Sequence, residues 1–374
     1  MKKLSRIAAL AMAAAMAMGL AACGSSKSST STSTNATTSS NTSSNASSGN
    51  ATSTKKIQIG VIQYMEHNAL DSAYKGFVAA LADAGYKDGD KISIDFQNAQ
   101  GDQSNLKTIS QRFVNNKVDL VLAIATPAAQ SIAAETSEIP ILVTAVTDLV
   151  GADLIKDNKA PGTNVSGTSD LTPVKLQFDL MKEILPNAKT VGIMYTSSEV
   201  NSEIQAKLAI ESATNLGMKY ETATITNVND IAQAVSSLVG KVDVIYIPTD
   251  NALASGMANV SALATDAGIP VIVGESGMCE AGGLATEGID YYKLGYQTGK
   301  MAVDVINGKS VSTMPVQYAQ DVTVDVNAAT AKALGIEIPK TVLDKAVNVY
   351  GAEKTTTGNA TSGNATSGNK TGAK

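Results

Sequence analysis

Few residues in this 374-residue chain are suited to bond-making chemistry. It has one histidine, His67, and two cysteines, Cys23 and Cys279. A single imidazole makes a His-based zinc site or a His-dependent triad a poor fit, and two cysteines are too few for a disulfide framework. The chain offers instead a recurring set of polar residues just after apolar, strand-like segments. These are Thr147 and Asp148, Glu199, Thr249 with Asp250 and Asn251, Glu275, and Asp290. Ala125-Thr126-Pro127-Ala128-Ala129 and the trio Ser197, Ser198 and Asn201 occupy the same kind of position. Such groups bind rather than react. A carboxylate there can take a cation or cap the following helix. A helix start offers free N–H groups and a partial positive charge, and Pro127 suits a first helical turn because its missing N–H is no loss there.

Composition narrows the classes further. The length allows about two domains. Hydrophobic residues make up 44% of the chain, enough for a sizeable core, and charged residues only 17%. The net charge of −5, with no long basic run, argues against a nucleic-acid scaffold. G-x-x-x-x-G-K-[ST], G-x-G-x-x-G and G-x-S-x-G are all absent, so the commonest phosphate loops and nucleophile elbows are missing.

The elements that must position the polar loops read as alternating strands and helices. Strands are expected at 57–63, 92–96, 118–123 and 141–146, with helices at about 70–84, 106–114 and 128–135. The pattern then restarts, with strands at 190–195, 220–224, 242–247 and 271–273 and helices at 199–216, 230–238 and 252–267. Three phrases repeat in order: Ile59-Gly-Val-Ile62 with Val191-Gly-Ile-Met194, Val118-Asp-Leu-Val-Leu-Ala-Ile124 with Val242-Asp-Val-Ile-Tyr-Ile-Pro248, and Ile139-Pro-Ile-Leu-Val143 with Ile269-Pro-Val-Ile-Val273. Their near-constant offsets predict two equivalent α/β lobes, each a doubly wound parallel sheet covered on both faces, joined by a hinge. Ligands of such sheets bind outside the carboxyl ends of the strands, and two facing lobes form a cleft that can close.

The ends of the chain read differently. Lys2, Lys3 and Arg6 precede the apolar run Ile7–Leu20, which is too short to span a bilayer and suits a signal peptide over residues 1–22. It ends Leu20-Ala21-Ala22-Cys23-Gly24, which resembles the bacterial lipobox; the resemblance implies cleavage before Cys23 and lipidation of that cysteine. From Gly24 to Thr54, 25 of 31 residues are Ser, Thr or Asn, so 23–55 reads as a disordered tether. The repeat Thr357-Gly-Asn-Ala-Thr-Ser-Gly-Asn-Ala-Thr-Ser-Gly-Asn369 gives 353–374 the same character. Cys279 is expected to be an unpaired thiol.

Taken with this lipobox and repeat, the phrases Gly60-Val-Ile-Gln-Tyr-Met-Glu-His-Asn-Ala-Leu-Asp71, Ala125-Thr-Pro-Ala-Ala129, Tyr195-Thr-Ser-Ser-Glu-Val-Asn-Ser202 and Pro248-Thr-Asp-Asn251 carry a family likeness. The stretch from about 56 to 340 resembles the substrate-binding lipoproteins of ABC importers with the type I periplasmic-binding fold, in the branch that includes tryptophan and other aromatic-amino-acid binders. The resemblance implies an extracytoplasmic, non-enzymatic receptor held on the outer face of the bacterial cytoplasmic membrane. It would be a monomer without cofactor or metal, delivering a small ligand to a permease driven by ATPase subunits. Lobe one is expected at 56–168 plus about 291–307, and lobe two at 172–288 plus about 315–350.

An amino acid needs donors for its carboxylate and a carboxylate for its ammonium. The resemblance implies that Thr126, Ala128 and Ala129, with Pro127 in the same turn and Thr147 nearby, hold the carboxylate. Asp250 is the first candidate for the ammonium and Asp148 the next, with Glu199, Glu275 and Asp290 behind them. Ser197, Ser198, Asn201, Thr249 and Asn251 are expected to supply second-lobe polar contacts. His67 is expected to line the cleft or fix its loop, and Leu70, Tyr64, Met65, Tyr291 and Tyr292 could enclose an apolar or aromatic side chain. The same loops leave open a sugar or nucleoside as ligand, a receptor that presents its ligand to a membrane sensor, and an exported hydrolase resting on His67.

Overall fold

The computed structural model describes residues 55–319 and 322–352. The signal peptide, the lipidation cysteine Cys23, the tether up to residue 54 and the tail from 353 lie outside these residues.

The first half runs β1 (Ile57–Gln63), α1 (Asn68–Asp83), β2 (Ile92–Asn98), α2 (Gln103–Asn116), β3 (Leu120–Ile124), α3 (Thr126–Glu135), β4 (Ile141–Val146) and β5 (Val165–Ser169). The second repeats it as α4 (Val174–Ile184), β6 (Thr190–Thr196), α5 (Val200–Asn215), β7 (Lys219–Ile225), α6 (Ile231–Leu238), β8 (Val244–Ile247), α7 (Asn251–Ser255), α8 (Met257–Asp266), β9 (Val271–Val273), α9 (Ser276–Glu280) and β10 (Ala285–Ile289). The chain closes with α10 (Tyr291–Ile306), β11 (Gln317–Tyr318), β12 (Val322–Asn327), α11 (Ala328–Ala333), α12 (Lys340–Leu343) and β13 (Ala346–Tyr350). Among the described residues no helix is long and apolar enough to cross a membrane.

The strands form two sheets of matching order. One runs β11-β5-β4-β3-β1-β2, all parallel; the other runs β13-β12-β10-β9-β8-β6-β7, parallel except where β10 meets β12. The repeated phrases fall on equivalent strands, β1 with β6, β3 with β8 and β4 with β9. Strands such as β3 and β4 are buried along their whole length, as expected of sheets covered on both faces. One core gathers on the first sheet, and two others fill opposite faces of the second.

Two details differ from the sequence reading. The helix expected at 252–267 is two, α7 and α8, broken at Gly256, where a side chain would meet Ile231. The return to the second lobe begins later than residue 315. Met314 and Val316 are buried in the first core, and Gln317 and Tyr318 pair with Thr168 and Ser169 on β5 before the chain crosses. That pairing extends the first sheet by an edge strand too short to carry a sequence pattern.

The α10 helix returns to the first lobe and lies along α1 with almost no separation. A Cβ on Gly295 would sit 1.9 Å from the Ala73 carbonyl oxygen, and one on Gly76 would sit 2.0 Å from that of Tyr292. This contact fixes the N-terminus of α10, which carries Tyr291, relative to that of α1, which follows His67. Replacing Gly295 by Val should therefore cost about 3 kcal/mol of stability or prevent folding. Urea unfolding of the variant checks this, and stability equal to the parent would show that the close contact is dispensable.

Candidate functional site in the cleft between the lobes

In each sheet the strand order reverses direction once, between β1 and β3 and between β6 and β8, and the loops leaving those strands separate to form a crevice. His67 follows β1 and Thr126 follows β3; Glu199 and Asn201 follow β6; Thr249, Asp250 and Asn251 follow β8. Thr147 leaves β4, Asp170 leaves β5, and Tyr291 follows β10 by two residues. A small cavity lies where these ends converge.

Of the residues singled out from the sequence, His67, Leu70, Thr147, Asn201, Thr249, Asp250, Asn251, Glu275 and Tyr291 line this cavity. Thr126, Pro127, Ala128 and Ala129 are buried at the start of α3 but are not in its wall. Asp148 accepts from the amides of Val150 (3.0 Å) and Gly151 (2.9 Å), and Asp290 from that of Lys293 (3.0 Å), so both serve their own turns. Ser197 and Ser198 are exposed, their hydroxyls donating to the carbonyls of Ile225 and Thr226. Tyr292 is exposed and Tyr64 is buried in the first core, both away from the cavity wall. The wall also contains Asp170, Ala69, Ala145 and Ala254, which sequence reasoning missed. Nothing local marks Asp170: it follows a short, polar strand in a crossing segment.

The cavity wall carries three carboxyl groups, Asp170, Asp250 and Glu275, and no lysine or arginine among the described residues. Their hydrogen bonds differ. Asp250 caps α7: Oδ2 accepts from the Thr196 amide (2.6 Å), and Oδ1 from the Thr196 hydroxyl (2.7 Å) and the Leu253 amide (2.9 Å). Glu275 caps α9 through the amides of Gly277 (2.6 Å) and Met278 (2.7 Å). In Asp170, Oδ2 accepts from the Tyr291 hydroxyl (2.7 Å), while the buried Oδ1 has no partner among the described residues. Burial pushes the Asp170 carboxyl up, and the Tyr291 bond works against the shift. Burial likewise raises Glu275 to about 7, opposed by the two amides of α9.

Behind the wall lies Glu199, fully buried. Its Oε2 accepts from the side-chain nitrogens of Asn251 (2.5 Å) and Asn201 (3.2 Å), and its Oε1 from the Ala252 amide (3.2 Å). Burial, and then the charge of Asp250, hold the Glu199 carboxyl well above the usual range. Gln205, one helical turn after Asn201, donates to the Thr249 hydroxyl (2.5 Å) and, across the cleft, to that of Thr147 (3.4 Å). The lobes meet directly at His67, whose Nε2 lies 3.2 Å from Asn251 Oδ1, and at Asn68, whose amide donates to Glu280 (3.3 Å). Burial lowers the His67 imidazole to about 4 despite the Asn251 bond and the Asp71 charge, so the ring is neutral near pH 7.

These shifts set the sign of a pH effect. A carboxyl with a raised folded value keeps a proton that the unfolded chain has released. Its contribution is therefore complete below about 4.5 and lost as the pH rises through about 7 for Glu275. His67 works oppositely, costing stability as the pH falls from 6.5 towards 4. Glu275→Gln removes the first effect and leaves the second. Between pH 5 and pH 7.5 the parent should lose on the order of 2–3 kcal/mol relative to this variant. Parallel stability curves in urea titrations would contradict the burial assigned to Glu275.

Comparison with known proteins bears on what such a cleft does. Residues 58–350 match the family model described as ABC transporter substrate binding protein. A relative named tyrosine-binding protein, from Clostridioides difficile (strain R20291), is 46% identical over 285 residues, covering 76% of this chain and 83% of the relative. Among solved structures, the ABC domain in complex with L-Trp from Streptococcus pneumoniae is 42% identical with a TM-score of 0.77, covering 79% of this chain and all of that one. The ligand-free, open structure of a substrate-binding protein with adhesive properties from Clostridium difficile is 49% identical but has a TM-score of only 0.62, covering 78% of this chain and 99% of that one. The chain belongs to the ABC transporter substrate-binding protein family.

Proposed function

We propose that the cleft captures an aromatic L-amino acid, with the ammonium on Asp170 and the aromatic side chain enclosed between the lobes. The observation that carries this reading is the wall itself: among the described residues it has three buried carboxyls, no lysine or arginine to balance them, and one carboxylate oxygen, Asp170 Oδ1, without a partner. A buried charge without a counterion is costly, and a ligand ammonium is a group that removes the cost. Asp170 is preferred to Asp250 because both oxygens of Asp250 already cap α7 and hold Thr196. Leu70, Ala69 and Tyr291 supply apolar wall for a ring. The name of the tyrosine-binding relative and the L-Trp complex support the same class of ligand.

As a substrate-binding protein of an ABC transporter, the chain has a binding role rather than a catalytic one, works outside the cytoplasm, and has a permease as partner. We further infer that it is anchored through lipid on Cys23, since Leu20-Ala21-Ala22-Cys23 closes a segment that resembles an export signal. Cys23→Ser should move the protein from the detergent phase to the aqueous phase in a phase-partition assay of cells; retention in the detergent phase would remove the anchor.

Asp170→Asn tests the ammonium site. Asn can still accept the Tyr291 bond, so the fold should survive, while affinity for aromatic amino acids should fall about 100-fold. Isothermal titration decides, and unchanged affinity would move the ammonium elsewhere.

A further inference from the structure

Four N–H groups converge on Glu199. To the Asn251 and Asn201 side chains and the Ala252 amide is added the backbone amide of Asn251, 3.4 Å from Oε2. Both asparagine amides are turned one way, nitrogen towards Glu199 and oxygen away. The orientation of Asn201 has further support: its nitrogen also faces the Ser202 hydroxyl (3.2 Å) and the Thr249 carbonyl (3.4 Å).

The consequences reach the cavity. Asn251 Oδ1 can only accept, so His67 Nε2, 3.2 Å away, must carry the imidazole proton. A neutral ring has one such proton, so Nδ1 is left as a lone pair. His67 Nδ1 is shielded from solvent and has no partner among the described residues, and the same holds for Asn201 Oδ1. His67 comes from the first lobe and Asn201 from the second, and both line the cavity. Each is an acceptor in need of a donor.

The ammonium proposed to sit on Asp170 is an unsuitable donor for His67. Asp170 follows β5 and His67 follows β1, with β4 and β3 between them. Three strand spacings separate the two loops, roughly 14 Å at the sheet. The acceptors therefore call for a donor at the other end of the ligand.

Resting on the aromatic amino-acid reading, we propose that Glu199 is a positioning residue that fixes His67 Nδ1 and Asn201 Oδ1 as acceptors. The cleft thereby selects aromatic amino acids whose side chain carries a hydrogen-bond donor, a phenol O–H or an indole N–H, over phenylalanine. A site built to pair such a donor leaves buried acceptors unsatisfied when the ligand lacks it.

The test uses the chain without a purification tag that adds histidine, in which His67 is the only imidazole. Nitrogen-15 NMR of histidine-labelled protein should give the neutral Nε2–H tautomer at pH 7, with Nδ1 responding to L-tyrosine and L-tryptophan and little to L-phenylalanine. Titration calorimetry should show tyrosine and tryptophan binding roughly 10- to 100-fold more tightly than phenylalanine. Glu199→Gln, with folding checked by circular dichroism, should bring that ratio below about threefold and disturb the tautomer, and His67→Phe should also lower the ratio. An Nδ1–H tautomer or an imidazolium in the parent overturns the relay. So does a ratio unchanged in Glu199→Gln, or an equal loss of all three ligands in His67→Phe, which would assign the acceptor to the ammonium. Failure of all aromatic amino acids to bind overturns the ligand class and the selectivity together, while the tautomer still decides whether Glu199 sets the polarity of the ring.

Discussion

Four carboxyl groups, those of Asp170, Glu199, Asp250 and Glu275, are buried where the two lobes meet, and no lysine or arginine among the described residues lines the cavity beside them. Much of the surrounding structure limits this electrostatic cost. Asp250 and Glu275 spend their oxygens on the first amides of α7 and α9. Glu199 gathers four N–H groups, which oppose the upward push of burial and of the Asp250 charge on its carboxyl. Asp170 remains only half satisfied, held by Tyr291 on one oxygen and unpartnered on the other.

The fold concentrates these groups in one place without any local motif. Two sheets of the same strand order each open a crevice where that order reverses, and the sharp turns into helices there present hydroxyls, amides and carboxylates. The lobes meet face to face at His67–Asn251, and the Tyr291–Asp170 bond holds the crossing segment after β5 to α10 of the first lobe. Both ties involve groups in the cavity wall. A ligand there bears directly on the contacts that hold the lobes together, and differential affinity for that arrangement is what couples capture to closure.

Much of the fold was legible because its signals are periodic and repeated. Buried β-branched strands such as Val118–Ile124 and Val242–Ile247 announce themselves, and their order exposes the duplication. The site was legible only in outline. Sequence position cannot distinguish a carboxylate that serves its own turn or helix start from one that faces a ligand: Asp148 closes a turn, Asp250 and Asp290 cap helices, and only Asp250 also reaches the wall. Ser197 and Ser198 stand just before α5, yet the turn directs them outward to the carbonyls that follow β7. Asp170 gave no signal because β5, Val-Ser-Gly-Thr-Ser, lacks an apolar pattern and the crossing it begins has no repeat partner. Its importance rests on the meeting of β5 with the N-terminus of α10, a long-range contact.

The central claim, that the cleft is built around the charge of a ligand ammonium, is tested most directly by removing the ammonium from the ligand and leaving the protein intact. L-tyrosine and 3-(4-hydroxyphenyl)propionate differ only in the amino group. If the buried carboxyls require a cation, calorimetry should find the deaminated compound bound at least about 100-fold more weakly, because a buried charge then keeps no partner. Equal affinities for the two would contradict it.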